Sequence, residues 1–149
     1  MAERLIVDGM NVLGSRPDGW WRDRAAAMER MTRRLAGFAA REGIALAVVW
    51  DGREHARVAR AGAGIEVRFA PGGPDAADRE IARMIRSDPD PGAITAVSSD
   101  RRLRNSVKAA GAAGIGAGEL LRRLEASEGV AGVAGAEGAA GADEGSPAE

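Results

Sequence analysis

The sequence predicts an α/β protein in which a mainly parallel sheet lies between two layers of helices, a three-layer α/β/α sandwich. Two observations lead to this prediction. Short apolar runs alternate along the chain with longer segments whose apolar residues recur every three or four positions, as strands and helices do in parallel α/β folds. In addition, a chain of 149 residues can form one domain with a single sizeable core.

Four strands are predicted from their apolar runs. They are RLIVD, IALAVVW, GIEVRFA and AITAVSS, at residues 4–8, 44–50, 64–70 and 93–99. The third run alternates apolar and polar residues, which is typical of a strand at the edge of a sheet.

Helices are predicted between and after these strands, at residues 20–42, 74–88 and 100–112. The segment IGAGELLRRLEA (115–126) is interpreted as a short strand or turn that leads into a last helix.

The first helix carries a clear apolar stripe. Its members are Trp21, Ala25, Met28, Met31, Leu35 and Phe38. This phase places Trp21 in the core and leaves Trp20 outside the stripe. Trp20 could then stack on an unpaired base or, as is more common for such a tryptophan, cover the edge of the core, so it is not assigned to the site.

The composition restricts the chemistry of any metal site. The chain has no cysteine and one histidine, which excludes disulfides, thiolate ligands and a histidine-rich site. A metal would therefore be bound by oxygen atoms, which favours Mg²⁺ or Mn²⁺ over zinc. No signal peptide or membrane-spanning run is recognisable, so the expected location is the cytoplasm, with no membrane partner.

The charge is unevenly distributed. Residues 127–149 contain five acids and no base, are rich in glycine and alanine, and are interpreted as a disordered acidic tail. Residues 1–126, the predicted folded domain, hold all 21 arginines and lysines and 17 of the 22 acids, a net charge of +4. This mildly basic domain permits an anionic polymer as its partner.

Four aspartates are expected at one edge of the sheet. Asp8 ends the first strand, Asp51 ends the second, and Asp100 follows the fourth, where the carboxyl ends of parallel strands meet. Asp78 continues the apolar stripe of its helix into the first turn, which begins at the same edge. Because like charges repel unless a cation is present, the pattern indicates an oxygen-lined site for a divalent metal.

Asp51, Asp78 and Asp100 also have structural interpretations, whereas Asp8 is the hardest of the four to explain in that way. Asp100 could cap the following helix, with Ser98 and Ser99 as rivals for that role. Asp51 before a glycine could be a turn residue, and Asp78 could complement the helix dipole. Asp75 is interpreted as a cap or first-turn residue and not as a ligand.

Four motifs, LIVDGMNVL, VVWDG, DAADREI and VSSDRRL, occur in an order and spacing that resemble the YacP-like group of NYN domains, a branch of the PIN-like nucleases. The resemblance covers about residues 4–125. It implies a PIN-like α/β/α fold and an acidic site that binds Mg²⁺ or Mn²⁺ and cleaves RNA. By position, it also implies that Asp8, Asp78 and Asp100 bind the metal and that Asn11 and Asp51 support the site. Met10 stands where the family usually has tyrosine.

A basic cluster adjoins the proposed site. Arg101, Arg102, Arg104 and Lys108 surround the helix that begins after Asp100 and are predicted to bind RNA phosphates, although a solvated helix face explains any one of them singly.

Together, these observations predict a metal-dependent endoribonuclease. The alternative is a non-catalytic or weakly catalytic RNA-binding module of the same fold; a phosphoacceptor domain is disfavoured because the chain has a single lysine. Which RNA is cut, whether a macromolecular complex presents it, and the oligomeric state are left open.

Overall fold

The computed structural model describes residues 3–144, with side chains described for residues 3–130. Within these residues the strands are β1 (Arg4–Asp8), β2 (Ala45–Asp51), β3 (Glu66–Ala70), β4 (Ile94–Val97) and β5 (Ala113–Ile115). The helices are α1 (Gly9–Gly14), α2 (Arg24–Glu42), α3 (Ala56–Ala61), α4 (Ala76–Arg86), α5 (Arg101–Ala109) and α6 (Ala117–Glu144). No helix in the described part of the chain is long and apolar enough to cross a membrane.

The strands form one parallel sheet in the order β3-β2-β1-β4-β5. β1 lies at the centre, and the chain builds outward from it first on the β2 side and then on the β4 side. The strand order therefore reverses between β1 and β4, the position at which open α/β sheets form a crevice at their carboxyl edge. The predicted α/β fold and the edge position of the third strand are confirmed.

Both faces of the sheet are buried, and side chains alternate between them along each strand. Leu5 and Val7 of β1 pack in the cluster that includes residues of α1, α2 and α6, whereas Ile6 packs with α4 and α5. In β2, Trp50 lies on the first face and Val49 on the second. The sheet is therefore the middle of three layers, with helices on both faces. The same alternation determines the face to which the polar residues at the strand ends point.

The start of α2 differs from the prediction. Asp23 caps the helix by accepting a hydrogen bond from the Ala26 amide at 3.1 Å, so α2 begins at Arg24 after a 3₁₀ turn. The turn rotates the preceding residues out of the α-helical phase. Consequently the assignment of Trp21 to the core was wrong, since Trp21 is 57% exposed. Trp20 is half-buried and covers the edge of the core, the more common of the two roles considered for it.

The predicted boundary after residue 126 falls inside α6. Arg41 Nε donates to Ser127 Oγ at 2.7 Å, and Arg34 donates to both carboxylate oxygens of Glu128 at 2.7 and 2.8 Å. The first residues of the predicted tail thus contact α2, and the boundary after residue 126 was placed too early.

The physical reason is the continued stripe of α6, in which Leu124 and Ser127 are buried one turn apart. A serine in a glycine- and alanine-rich segment carried too little apolar signal to extend the helix. Residues 145–149 of the predicted tail, and the side chains of residues 131–144, lie outside the described part of the structure.

Candidate active site

Asp8 is buried at the carboxyl end of the central strand, with 5% of its surface exposed. It has the same parity as Ile6 and therefore belongs to the face covered by α4 and α5. Ser98 Oγ donates to its Oδ2 at 3.1 Å, and the Asn11 amide lies 3.4 Å from its Oδ1. The pKa of Asp8 is raised to about 6, chiefly by burial and also by the negative charges of Asp78 and Asp51, while the hydrogen bonds from Ser98 and the Asn11 backbone amide act in the opposite direction.

Asp78 lies in the first turn of α4 and is half-buried. Burial raises its pKa first, followed by the charges of Asp100, Asp75 and Asp51, while Arg102 lowers it. No hydrogen bond within the described residues contributes to this balance. The Asp78 carboxylate is thus an acceptor held among other acids.

Asp51 lies two residues after Val49 in β2, so its side chain points to the same face of the sheet, the one that α4 covers. Its Oδ1 accepts a hydrogen bond from the Ala77 amide at 3.0 Å. This contact joins the end of β2 to the start of α4 and holds Asp78 beside the sheet edge. Asp51 therefore adds negative charge to the cluster and also positions another member of it.

Asp100 caps α5, as its structural interpretation predicted. One carboxylate oxygen, Oδ1, accepts from the amides of Arg102 and Leu103 at 2.9 and 3.2 Å. The same carboxylate raises the pKa of Asp78, so it also lies near the acidic cluster. Capping uses Oδ1 alone, so the role of Asp100 as a helix cap is compatible with its predicted role as a metal ligand through Oδ2.

Asn11 connects α1 to the loop after β4. Its Oδ1 accepts a hydrogen bond from the Ser99 amide at 2.7 Å, across the crevice between β1 and β4. Ser99 Oγ in turn accepts from the Ala117 amide at 2.9 Å. Asn11 is thus held at the site through its side-chain oxygen, and its side-chain nitrogen Nδ2 is oriented by this contact and can act as a donor.

Ser98 is a site residue that the sequence analysis considered only as a rival cap. It is 1% exposed, and its hydroxyl donates to Asp8 and accepts from the Asp100 amide at 3.1 Å. The register of the sheet explains its role: Ala96 pairs with Ile6 in the parallel ladder, so Ser98 falls opposite Asp8, a pairing that the sequence does not reveal. Ser98 links the two acids at the strand-order reversal.

The structure thus brings the four predicted acids to one edge, where the charges of Asp51 and Asp78 raise the pKa of Asp8 and the charge of Asp100 raises that of Asp78. The four acids offer carboxylate oxygens as metal ligands, which suits a hard divalent cation. Among the described residues, however, no three acidic or histidine side chains are already arranged as a metal-binding group.

The predicted phosphate-binding residues divide into two positions. Arg101, Arg104 and Lys108 line an open groove of about 600 Å³ beside Ser99 and β5, and no acid lines it. Arg102 does not line this groove, and its positive charge lowers the pKa of Asp78. Three of the predicted basic residues therefore line a groove beside Ser99, and the fourth is close enough to Asp78 to act on it electrostatically.

Comparison with known proteins agrees with this arrangement. A family model described as the YacP-like NYN domain matches residues 5–135. The chain belongs to the YacP-like NYN domain family. The resemblance of the four motifs is thereby confirmed, and membership of this PIN-like nuclease family supports a ribonuclease-type function. PIN-like nuclease domains generally use divalent metals.

Two solved structures resemble this YacP-like chain. The crystal structure of Rae1 (YacP) from Bacillus subtilis has a TM-score of 0.73 at 21% identity, covering 96% of this chain and 85% of that one. A mutant form of the same protein has a TM-score of 0.70 at 25% identity, covering 85% and 77%. These similarities support the fold. No curated protein matches the sequence significantly.

Proposed function

We propose that this YacP-like chain is a metal-dependent endoribonuclease that hydrolyses phosphodiester bonds of RNA. The observation that supports the proposal most strongly is the convergence of Asp8, Asp51, Asp78 and Asp100 at the carboxyl edge where the strand order reverses. Each acid comes from a different part of the sequence, and an all-oxygen cluster suits Mg²⁺ or Mn²⁺. A bound cation would relieve the repulsion that raises the pKa values of Asp8 and Asp78.

The residues divide the work of hydrolysis. Asp8, Asp78 and Asp100 would hold the ion, whose chemistry is to activate water and neutralise charge on the phosphate. Ser98 fixes Asp8, and Asp51 fixes the start of α4. In hydrolysis, water adds to phosphorus and the bond to the 3′ oxygen breaks, which leaves a 5′-phosphate and a 3′-hydroxyl.

Asn11 and the basic residues would bind the substrate. Because Asn11 Oδ1 is engaged by the Ser99 amide, its nitrogen can donate to a phosphate oxygen or to water. Arg101, Arg104 and Lys108 would bind phosphates along the adjoining groove, and Arg102 would contact the phosphate nearest the acids.

The test is cleavage of a circular single-stranded RNA by the purified chain. A circle has no ends, so its conversion to a linear product requires an internal cut. We expect linear product with Mg²⁺ or Mn²⁺, none with EDTA, and none from a circular DNA of the same sequence.

One observation favours the alternative, a non-catalytic or weakly catalytic RNA-binding module. The acids of the described residues are not pre-arranged as a metal-binding group. RNA binding without any linear product in either metal would support this alternative and contradict the proposed hydrolysis.

The basic groove makes a separate prediction. An Arg101→Ala/Arg104→Ala variant should bind single-stranded RNA more weakly, because two phosphate contacts and their released counterions are lost. The slope of log affinity against log salt should decrease by about 1.4. Affinities measured across a salt series check this value.

The matched control is Arg60→Ala/Arg86→Ala, which removes the same charge from exposed positions outside the groove. An equal change of slope in both double variants would indicate a general charge effect and would remove the groove from the RNA path.

A further inference from the structure

Trp21 is an exposed aromatic side chain in a chain with few aromatic residues. The sequence holds three tryptophans, two phenylalanines and no tyrosine. Trp50 and Phe38 are fully buried, whereas Trp21 is 57% exposed. Apart from Trp21, only Val130 is a large exposed hydrophobic residue among the side chains that the structure describes.

The indole of Trp21 has two neighbouring side chains, Trp20 and Arg22. The ring of Trp20 meets it edge-on, with centroids 6.0 Å apart and an interplanar angle of 86°, and Trp20 itself packs against the core. The Arg22 guanidinium lies 5.9 Å from the centre of the Trp21 ring. An aromatic side chain has only two rotatable torsions and therefore loses little conformational entropy when a ligand stacks on it.

The turn that carries Trp21 lies at the edge of the sheet where the acids converge. Three residues later, Arg24 Nη2 donates to the carbonyl oxygen of Asp51 at 2.9 Å. On the other side, Trp20 lies 3.9 Å from the position that a β-carbon of Gly14 would take, at the end of the helix that bears Asn11. The turn that bears Trp21 thus lies at the same edge of the sheet as the proposed active site, in the layer of α1 and α2.

The surroundings of Trp21 favour a nucleic-acid base over an apolar protein surface. Arg22 and Arg24 are exposed on either side of the acid Asp23, whose carboxylate caps α2. Val130 follows residues that contact the far half of α2, a helix of 19 residues and therefore about 28 Å long. An apolar partner would lack a surrounding hydrophobic contact, whereas a nucleotide presents a ring for stacking and a phosphate for guanidinium groups.

We propose that Trp21 is a stacking platform for an unpaired base of the RNA substrate, and that it makes the site selective for single-stranded RNA. The inference rests on the proposed function, since it assigns a substrate contact to the same site. Base stacking on an aromatic side chain tolerates any base and requires that the base is not paired within a duplex. Trp21 is a binding residue in this assignment, without a part in bond cleavage.

The experiment measures binding without cleavage, in EDTA, with a short single-stranded RNA, the same RNA carrying one abasic position, and its duplex. We expect Trp21→Ala to bind the single strand about tenfold more weakly, Trp21→Phe to retain most of the affinity, and Trp21→Leu to resemble Trp21→Ala. Duplex binding should be equal in all variants. The weakening caused by an abasic nucleotide opposite Trp21 should disappear in Trp21→Ala.

Fluorescence gives a second readout that does not depend on activity. Single-stranded RNA should quench the emission of the original chain more than that of Trp21→Phe, and the difference reports the indole of Trp21. Because Trp21 is exposed, each variant should melt within about 2 °C of the original chain.

The outcomes separate this inference from the proposed hydrolysis. If the original chain cleaves RNA and Trp21→Ala binds the single strand with unchanged affinity, the platform is wrong and the hydrolysis stands; a protein-docking role for Trp21 gives this same result. Full affinity in Trp21→Leu would also overturn the stacking role of Trp21, since a leucine side chain cannot stack on a base. If the expected pattern appears in a chain that does not cleave, the platform stands and the hydrolysis fails.

Discussion

An Asp8→Asn variant is expected to lose at least about 100-fold of its RNA cleavage while becoming more resistant to heat at neutral pH. The loss is expected because replacing a residue that only orients a ligand already costs about 10–100-fold, and Asp8 is proposed as a ligand itself. Asp78→Asn should reduce cleavage to a similar extent. Asparagine keeps the size of the side chain and one oxygen, so the change tests the charge.

The gain in stability follows from the burial of Asp8. Its pKa is raised from 3.8 to about 6, so the folded, metal-free protein binds this proton more tightly than the unfolded chain does. The stabilising effect of the protonated form is present below pH 4 and is lost as the pH rises through 6. Above pH 6 the buried charge costs roughly 3 kcal/mol, which asparagine avoids.

Thermal melts in EDTA at pH 5 and pH 8 measure this effect. The variant should exceed the original chain clearly at pH 8 and by less at pH 5. Added Mg²⁺ or Mn²⁺ should raise the melting temperature of the original chain at pH 8, because an ion that binds only the folded state stabilises it, and should raise that of Asp8→Asn far less.

Asp75→Asn is the matched control for the charge change. Asp75 adopts a left-handed backbone conformation with φ of 66°, which asparagine tolerates, and its side chain does not cap α4. It should retain cleavage and its response to metal. If Asp8→Asn instead melts well below the original chain at pH 8, Asp8 is held chiefly as the hydrogen-bond partner of Ser98, and its assignment as a ligand loses support.

The positions of the acids were predictable because two simple rules determine them. Parallel strands bring their carboxyl ends to one edge. Side chains two residues apart in a strand point to the same face, so Asp8 shares the face of Ile6, and Asp51 shares that of Val49, which α4 covers. The apolar stripe of α4 then places Asp78 opposite them. Local pattern and topology agree at these positions, so the sequence was sufficient.

The sequence was insufficient where a few local contacts decide the structure. α1 and α3 have six residues each, too few to show a helical stripe. The hydrogen bond that Asp23 accepts from the Ala26 amide starts α2 at Arg24, and Trp21 before it is exposed where the helical stripe predicted burial. Ser98 is a small polar residue whose role depends on its partner across the sheet, which a pattern within one segment does not reveal.

A Gly9→Ala variant is expected to be destabilised by roughly 1–3 kcal/mol and to lose cleavage with it. A β-carbon at Gly9 would lie 2.6–2.8 Å from three ring atoms of Trp50, well inside van der Waals contact. Trp50 has no room to retreat, because it is fully buried and its Nε1 donates to Thr32 Oγ1 at 3.2 Å. The clash would push α1 outward. Because Asn11 lies in α1, this movement would displace Asn11 from the acidic edge.

Helix propensity alone predicts the opposite sign, since alanine stabilises a helix by about 1 kcal/mol relative to glycine. Gly14→Ala at the other end of α1 provides the control. Its β-carbon would meet only Trp20, at 3.9 Å, an ordinary contact, so we expect this variant to be neutral or slightly stabilised. Denaturant unfolding of both variants, with cleavage measured in parallel, separates steric conflict from propensity.

A double variant identifies the cause. Trp50→Leu alone should be destabilising, because it leaves a cavity in the core. If the clash is the reason for the Gly9→Ala defect, the two changes should cost less together than the sum of their separate effects, since the smaller side chain makes room for the new methyl group. Additive costs would show that Gly9 is required for another reason, and Trp50 would then not be the residue that sets the position of α1 and Asn11 at the acidic edge.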